Sequence, residues 1–186
     1  MKTVLQIRAL LDYEKNVFRD IEIGADDHFG QLHDIIQEAF GFDNSQMASF
    51  YVSNEEWIKG REITLMDVGE KDENGDAILL MHHISVGDYL TEQSEKMIYV
   101  FDFLLMWCFY LDVISVSELE DTVILPRITQ SFGDAPAQYS KSSDLMFEPE
   151  DEIYDPNEEY GSEDDEDDDI FGETGGTEDS YDENDY

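Results

Sequence analysis

Residues 17–41 read VFRDIEIGADDHFGQLHDIIQEAFG, and the change of hydrophobic period inside this stretch decides the fold class. Val17, Arg19, Ile21 and Ile23 share one face of an extended segment while Asp20 and Glu22 point away, the two-residue period of a half-buried strand. Gly24 breaks the pattern, and Asp26 or Asp27 is expected to cap a helix. From Phe29 the period is helical. Phe29, Leu32, Ile35, Ile36, Ala39 and Phe40 line one side, and Gly41 stands where a left-handed C-cap is wanted.

Upstream, residues 3–11 alternate, with Thr3, Leu5, Ile7, Ala9 and Leu11 opposite Gln6 and Arg8, and the polar residues 12–16 turn the chain into a hairpin. Downstream, residues 47–52 read as a short strand and 61–66 as another, 71–76 (KDENGD) as a turn or longer loop, and 84–90 as a short helical turn. Residues 96–103 and 106–116 are β-rich and read as adjacent antiparallel strands. The second is apolar on both sides, with Trp107, Phe109, Leu111 and Val113 opposite Met106, Cys108 and Tyr110. Such a strand is central and covered on both faces, or it faces a partner. The pattern predicts an α+β fold: a mostly antiparallel sheet with an N-terminal β-hairpin and one main helix packed across it, in ββαβββ-like order.

Charge divides the chain. After Lys141 there is no Lys or Arg, and residues 144–186 hold 21 Asp and Glu, leaving 26 of the 47 acids and all 10 bases in residues 1–143. A segment half acidic repels itself and cannot bury enough apolar area to offset its ordering entropy. The expected organisation is a domain over 1–143 and a disordered acidic tail over 144–186. The formal charge of −37 argues against direct binding to nucleic acid or an anionic membrane, whose phosphates recruit cationic contacts. A basic protein or divalent cations are what this charge attracts. Within the tail, the run Glu163, Asp164, Asp165, Glu166, Asp167, Asp168 and Asp169 is flanked by the aromatics Tyr160 and Phe171, a pattern suited to docking on a basic surface with apolar anchors, or to a solubilising extension.

The single cysteine, Cys108, excludes an internal disulfide and sits in an apolar run, where a buried inert thiol is expected. Met1-Lys2-Thr3 leads into a strand pattern and not an apolar signal-peptide core, and the run 103–111 is too short to span a bilayer. A cytoplasmic location is expected.

Chemistry-bearing residues are few. His33 borders the apolar face of the helix and could serve as a base or metal ligand near Asp102; the plainer reading is a half-buried histidine bonded to a backbone carbonyl. Asp102 interrupts an apolar strand and is either a buried acid or a solvent-facing residue at the sheet margin. His82 and His83 are adjacent, so in a strand they face opposite sides, and His28 is expected in the first helical turn near solvent. The loop 72–76 has its glycine at the wrong place for an EF-hand and no closing glutamate. No metal or cofactor is expected.

Phe18-Arg19-Asp20-Ile21-Glu22-Ile23, followed by Leu32-His33-Asp34-Ile35-Ile36-Gln37-Glu38-Ala39-Phe40-Gly41-Phe42, resembles the plasmid Ri (pRiA4b) ORF-three-like family, in which an Ile-Trp-Arg-Arg strand leads into a Leu-His…Ile-Gln…Ala-Phe-Gly-Trp helix. Tyr99-Val100-Phe101-Asp102-Phe103 and Trp107 are similar to that family's Tyr-Asp-Phe-Gly-Asp-x-Trp-x-His signature. The likeness covers roughly residues 3–137. The family includes TnpR-like passenger proteins of insertion elements, and the resemblance implies a fold more than an activity. This chain departs from the signature: Leu104 and Leu105 stand for Gly-Asp, Phe109 for the His, and Gln46-Met47-Ala48 for a His-Leu-His. Apolar replacement of polar positions moves weight from catalysis to a non-catalytic protein-interaction module. The other reading is an enzyme or recombination accessory protein of mobile elements with a pocket near His33, Asp102 and Trp107; cation buffering by the tail is a third.

Overall fold

The computed structural model describes residues 1–67, 69, 77–92 and 96–141, all within a compact unit spanning Met1–Phe147. The loop expected at 71–76 and the acidic segment, with its Tyr160, 163–169 and Phe171, lie outside the described residues.

Strands β1 (Lys2–Leu11) and β2 (Phe18–Gly24) form the expected hairpin, followed by helix α1 (Phe29–Phe40). Then come β3 (Ala48–Ser53), β4 (Lys59–Thr64), β5 (Leu79–Leu80), a 3-10 turn Val86–Asp88, β6 (Lys96–Phe101), β7 (Trp107–Leu119), β8 (Arg127–Phe132) and a 3-10 turn Gln138–Lys141. One eight-stranded sheet runs β5-β4-β3-β6-β7-β1-β2-β8. Every pairing is antiparallel except the short β4–β5 contact. The fold is thus mostly sheet with one helix. The last strand left no periodic signal because all six of its residues are exposed at the sheet edge.

The helix starts one or two residues later than a cap at Asp27 or Asp26 implies. His28 is the N-cap: its Nδ1 accepts from the Gln31 amide at 3.2 Å, and Gln31 Oε1 accepts from the His28 amide at 3.1 Å. Asp27 instead accepts from the Gly24 amide at 2.9 Å, closing the preceding turn. Gly41 ends the helix in the left-handed region, φ 72°. Arg19, on the helix-facing side of β2, is buried and donates through Nε to the Ala39 carbonyl at 2.9 Å and through Nη1 to the carbonyls of Phe18, Phe132 and Gly133. A cation therefore meets the negative end of the helix dipole and ties three segments together.

The helix covers one face of the sheet, with Phe29 against Phe50 at 5.1 Å and Phe40 against Phe109 at 4.8 Å between ring centroids. On the other face the expectation of full cover over β7 is corrected. Cys108 and Tyr110 are half-buried, and Trp57, from the β3–β4 turn, packs edge-on to Tyr110 at 4.8 Å. Beside them the registers align Asp20, Arg8, Asp112 and Lys96 across β2, β1, β7 and β6, an alternating charged row.

Register also gathers the loops. Leu11 pairs with Phe109, Phe18 with Phe132, Ala48 with Phe101 and Phe101 with Trp107. The turn 12–17, the loop 41–47, the turn 102–106 and the segment 133–141 consequently meet at one end of the sheet.

Candidate functional site

The helix face that meets β6 carries a buried polar chain. His33 is 1% exposed, and its Nδ1 lies 2.6 Å from the Tyr99 hydroxyl, which Gln37 Nε2 approaches to 2.8 Å. On its other side His33 Nε2 meets Asn44 Oδ1, and Asn44 Nδ2 donates to Asp34 Oδ1 at 3.0 Å. The direction of the chain follows from its exposed end. A carboxylate only accepts, so Asn44 gives Asp34 its amide hydrogen and turns its oxygen to His33. His33 then carries its proton on Nε2, leaving Nδ1 to accept from Tyr99. Tyr99 in turn accepts from Gln37, whose Oε1 is buried with no hydrogen-bond partner among the described residues. Burial lowers the His33 pKa below its ordinary value, against the opposing pull of Asn44 and Asp34, and burial raises that of Tyr99. Both ring nitrogens are engaged.

The neighbouring loop end is braced around Asp43 and Trp107. Asp43 accepts from the Ser45 amide and hydroxyl, from Gln138 Nε2 at 2.8 Å and from the Tyr139 hydroxyl at 2.5 Å, while its own amide donates to Gln138 Oε1 at 2.7 Å. Those donors, Ser45 first, hold its carboxyl well below the usual carboxylate range. Trp107 is fully buried and donates through Nε1 to the Gln138 carbonyl at 2.8 Å. Lys141 lies 4.0 Å over its ring and donates to the Met106 carbonyl at 3.0 Å.

Asp102 is buried and not solvent-facing at the sheet margin. Its φ is 58°, and its Oδ1 accepts from the amides of Leu104 and Leu105 at 3.0 and 3.1 Å, an Asx turn that closes the β6–β7 hairpin. Trp107 follows that turn as the first residue of β7. His33 stands further along the helix and bonds side chains of Tyr99 and Asn44 where a backbone carbonyl was expected. Among the described residues no hydrogen bond joins His33 to Asp102 or Trp107. His28 is half-buried and used as a cap, and no group of three His, Cys, Asp or Glu among the described residues could hold a metal ion. Gln37, Asn44, Asp43 and Gln138 were not anticipated. The four-residue spacing of His33 and Gln37 on one helix is the signal that could have found one of them.

A sheet with one helix across it and a buried polar chain beneath that helix defines an α+β domain with a hydrogen-bonded histidine in its interior. The chain matches the family described as plasmid pRiA4b ORF-3-like protein over residues 3–182, and it belongs to that family. The match runs beyond the residues 3–137 that carry the visible likeness and takes in most of the acidic segment. A protein of unknown function from Methanosarcina mazei Go1, known from its crystal structure, shares the fold at 18% identity, with a TM-score of 0.60 over 70% of each chain. Comparison with curated proteins finds no match. No helix among the described residues is long and apolar enough to cross a membrane.

Proposed function

We propose that this protein is a non-catalytic interaction module of the cytoplasm whose acidic C-terminal segment, disordered when unbound, engages a basic protein surface. The observation that carries the reading is the division of charge: 21 acids and no base in residues 144–186. Self-repulsion keeps such a segment extended and presents its charge to cationic partners that come within about a Debye length. The bonding of the domain's polar residues supports the same reading. His33 has both nitrogens engaged, one carboxylate oxygen of Asp102 accepts from two backbone amides, and Trp107 donates to a backbone carbonyl. A general base needs a free lone pair within reach of substrate.

The test keeps the chain whole and removes charge only: Glu163→Gln, Asp164→Asn, Asp165→Asn, Glu166→Gln, Asp167→Asn, Asp168→Asn and Asp169→Asn together. Immobilised native and substituted proteins are loaded with basic host proteins and eluted in a salt gradient. Elution of partners from the substituted protein at clearly lower salt supports the proposal; identical elution from both removes it.

A further inference from the structure

The loop end of the sheet carries an exposed apolar rim. Tyr13 from the first turn, Phe103, Leu104 and Met106 from the β6–β7 turn, and Tyr139 from the last 3-10 turn all have exposed rings or chains, Leu104 at 75% and Tyr139 at 52%. Tyr13, Met106 and Tyr139 are linked through Trp107, and Phe103 and Leu104 belong to the turn that precedes it. Tyr13 packs 6.3 Å from its ring, Gln138 beside Tyr139 accepts its Nε1, and Lys141 bridges its ring to the Met106 carbonyl. The turn itself is rigid: Asp102 binds two of its amides, and the Met106 amide donates to the Asp102 carbonyl at 2.6 Å. A preorganised apolar tip avoids the ordering cost that a loose loop would bring to binding. Leu104 stands at one of the positions where the related signature has a polar or glycine residue.

Two observations say what covers this rim. The chain passes out of the described residues immediately after Lys141, at the rim, and from there to Tyr186 it has no base. The loops that bear the rim also expose Asp12, Glu14 and Asp134 against one exposed cation, Lys15, while Lys141 is held against Trp107. The carboxylates that border this apolar surface favour a cationic partner there. We infer that the rim formed by Tyr13, Phe103, Leu104, Met106 and Tyr139 is the docking surface for a basic, amphipathic segment of a partner protein. Aromatic and methionine side chains are the types enriched at the buried centre of such interfaces. This inference rests on the proposed interaction role, with the tail supplying encounter and the rim supplying apolar contact.

The test uses two labelled synthetic peptides of equal positive charge, one alternating lysine with leucine and the other lysine with serine. Binding to the full chain is read by anisotropy at about 150 mM salt. The native protein should bind the lysine–leucine peptide more tightly. Leu104→Ser with Met106→Ser should weaken that peptide by about tenfold while leaving the lysine–serine peptide unchanged. The single variant Leu104→Ser, at the most exposed position, should weaken the same peptide in the same direction with an unaltered melting curve. Equal binding of the two peptides by native protein overturns the rim and leaves the tail reading standing. Failure to bind either peptide overturns the tail reading itself. A concentration-dependent dimer in sedimentation that Leu104→Ser dissolves would assign the rim to a second copy of the chain instead. Tightened lysine–leucine binding in the tail-neutralised variant would assign it to the chain's own tail.

Discussion

Tyr99 places its hydroxyl 2.6 Å from His33 Nδ1 while accepting from Gln37 Nε2 at 2.8 Å, so one phenol satisfies two polar side chains of the helix within the core. Tyr99→Phe keeps the ring's packing and strands both partners. The expected loss is about 1–3 kcal/mol of unfolding free energy, measured by urea denaturation. Gln37→Leu should cost less, because it removes the orphaned Oε1 together with the donor. An equal or larger loss for Gln37→Leu would contradict the assigned direction of the chain.

The His33 pKa is lowered in the folded protein by burial from its ordinary 6.5. The unfolded chain therefore takes up the proton first. Its contribution to stability is complete above pH 6.5 and is lost progressively as pH falls from there toward the folded-state pKa. Stability curves of the native protein and of His33→Asn between pH 8 and pH 5 should converge as pH falls. Parallel curves would show that His33 does not titrate differently in the two states.

Arg19 is buried among four carbonyls, with no carboxylate in bonding contact among the described residues. A lysine presents one ammonium where the guanidinium reaches the helix end and the β8 end together. Arg19→Lys is expected to cost about 1.5–3 kcal/mol. Hydrogen exchange should rise at β8 as well as in the last turn of α1; a change confined to one of them would refute the bridging role.

Gly133 adopts φ +74°, and a Cβ there would meet the Asn16 carbonyl oxygen well inside contact distance. Gly133→Ala adds left-handed strain of roughly 1–2 kcal/mol to that clash. The melting temperature should drop, and Gly133→Asn, which tolerates this region better but carries the same Cβ, should also lose stability. A neutral alanine variant would mean that segment 133–141 can move away from the first turn.

Much of this fold is legible in residues 17–41, because strand and helix periods there are regular and each element has one buried side. The helix stop at Gly41 could be read from chemistry alone, whereas its start could not: two aspartates outranked His28 as caps, and the reciprocal bond with Gln31 decides the matter. β8 has no buried face to leave a pattern. Of the candidate site, His33, Asp102 and Trp107 were visible as unusual residues in apolar company. Their partners were not, since Tyr99, Asn44 and Gln138 are joined to them by sheet register and loop return over sequence distances of 11 to 66 residues.

The most direct measurement of the central claim is the salt dependence of affinity for a lysine-rich protein, titrated against the full chain and against the chain with positions 163–169 neutralised. The slope of log affinity against log salt counts the ionic contacts that are made. A steep slope is expected for the native chain and a clearly shallower one, with weaker binding, for the neutralised chain. Equal slopes and equal affinities would contradict it.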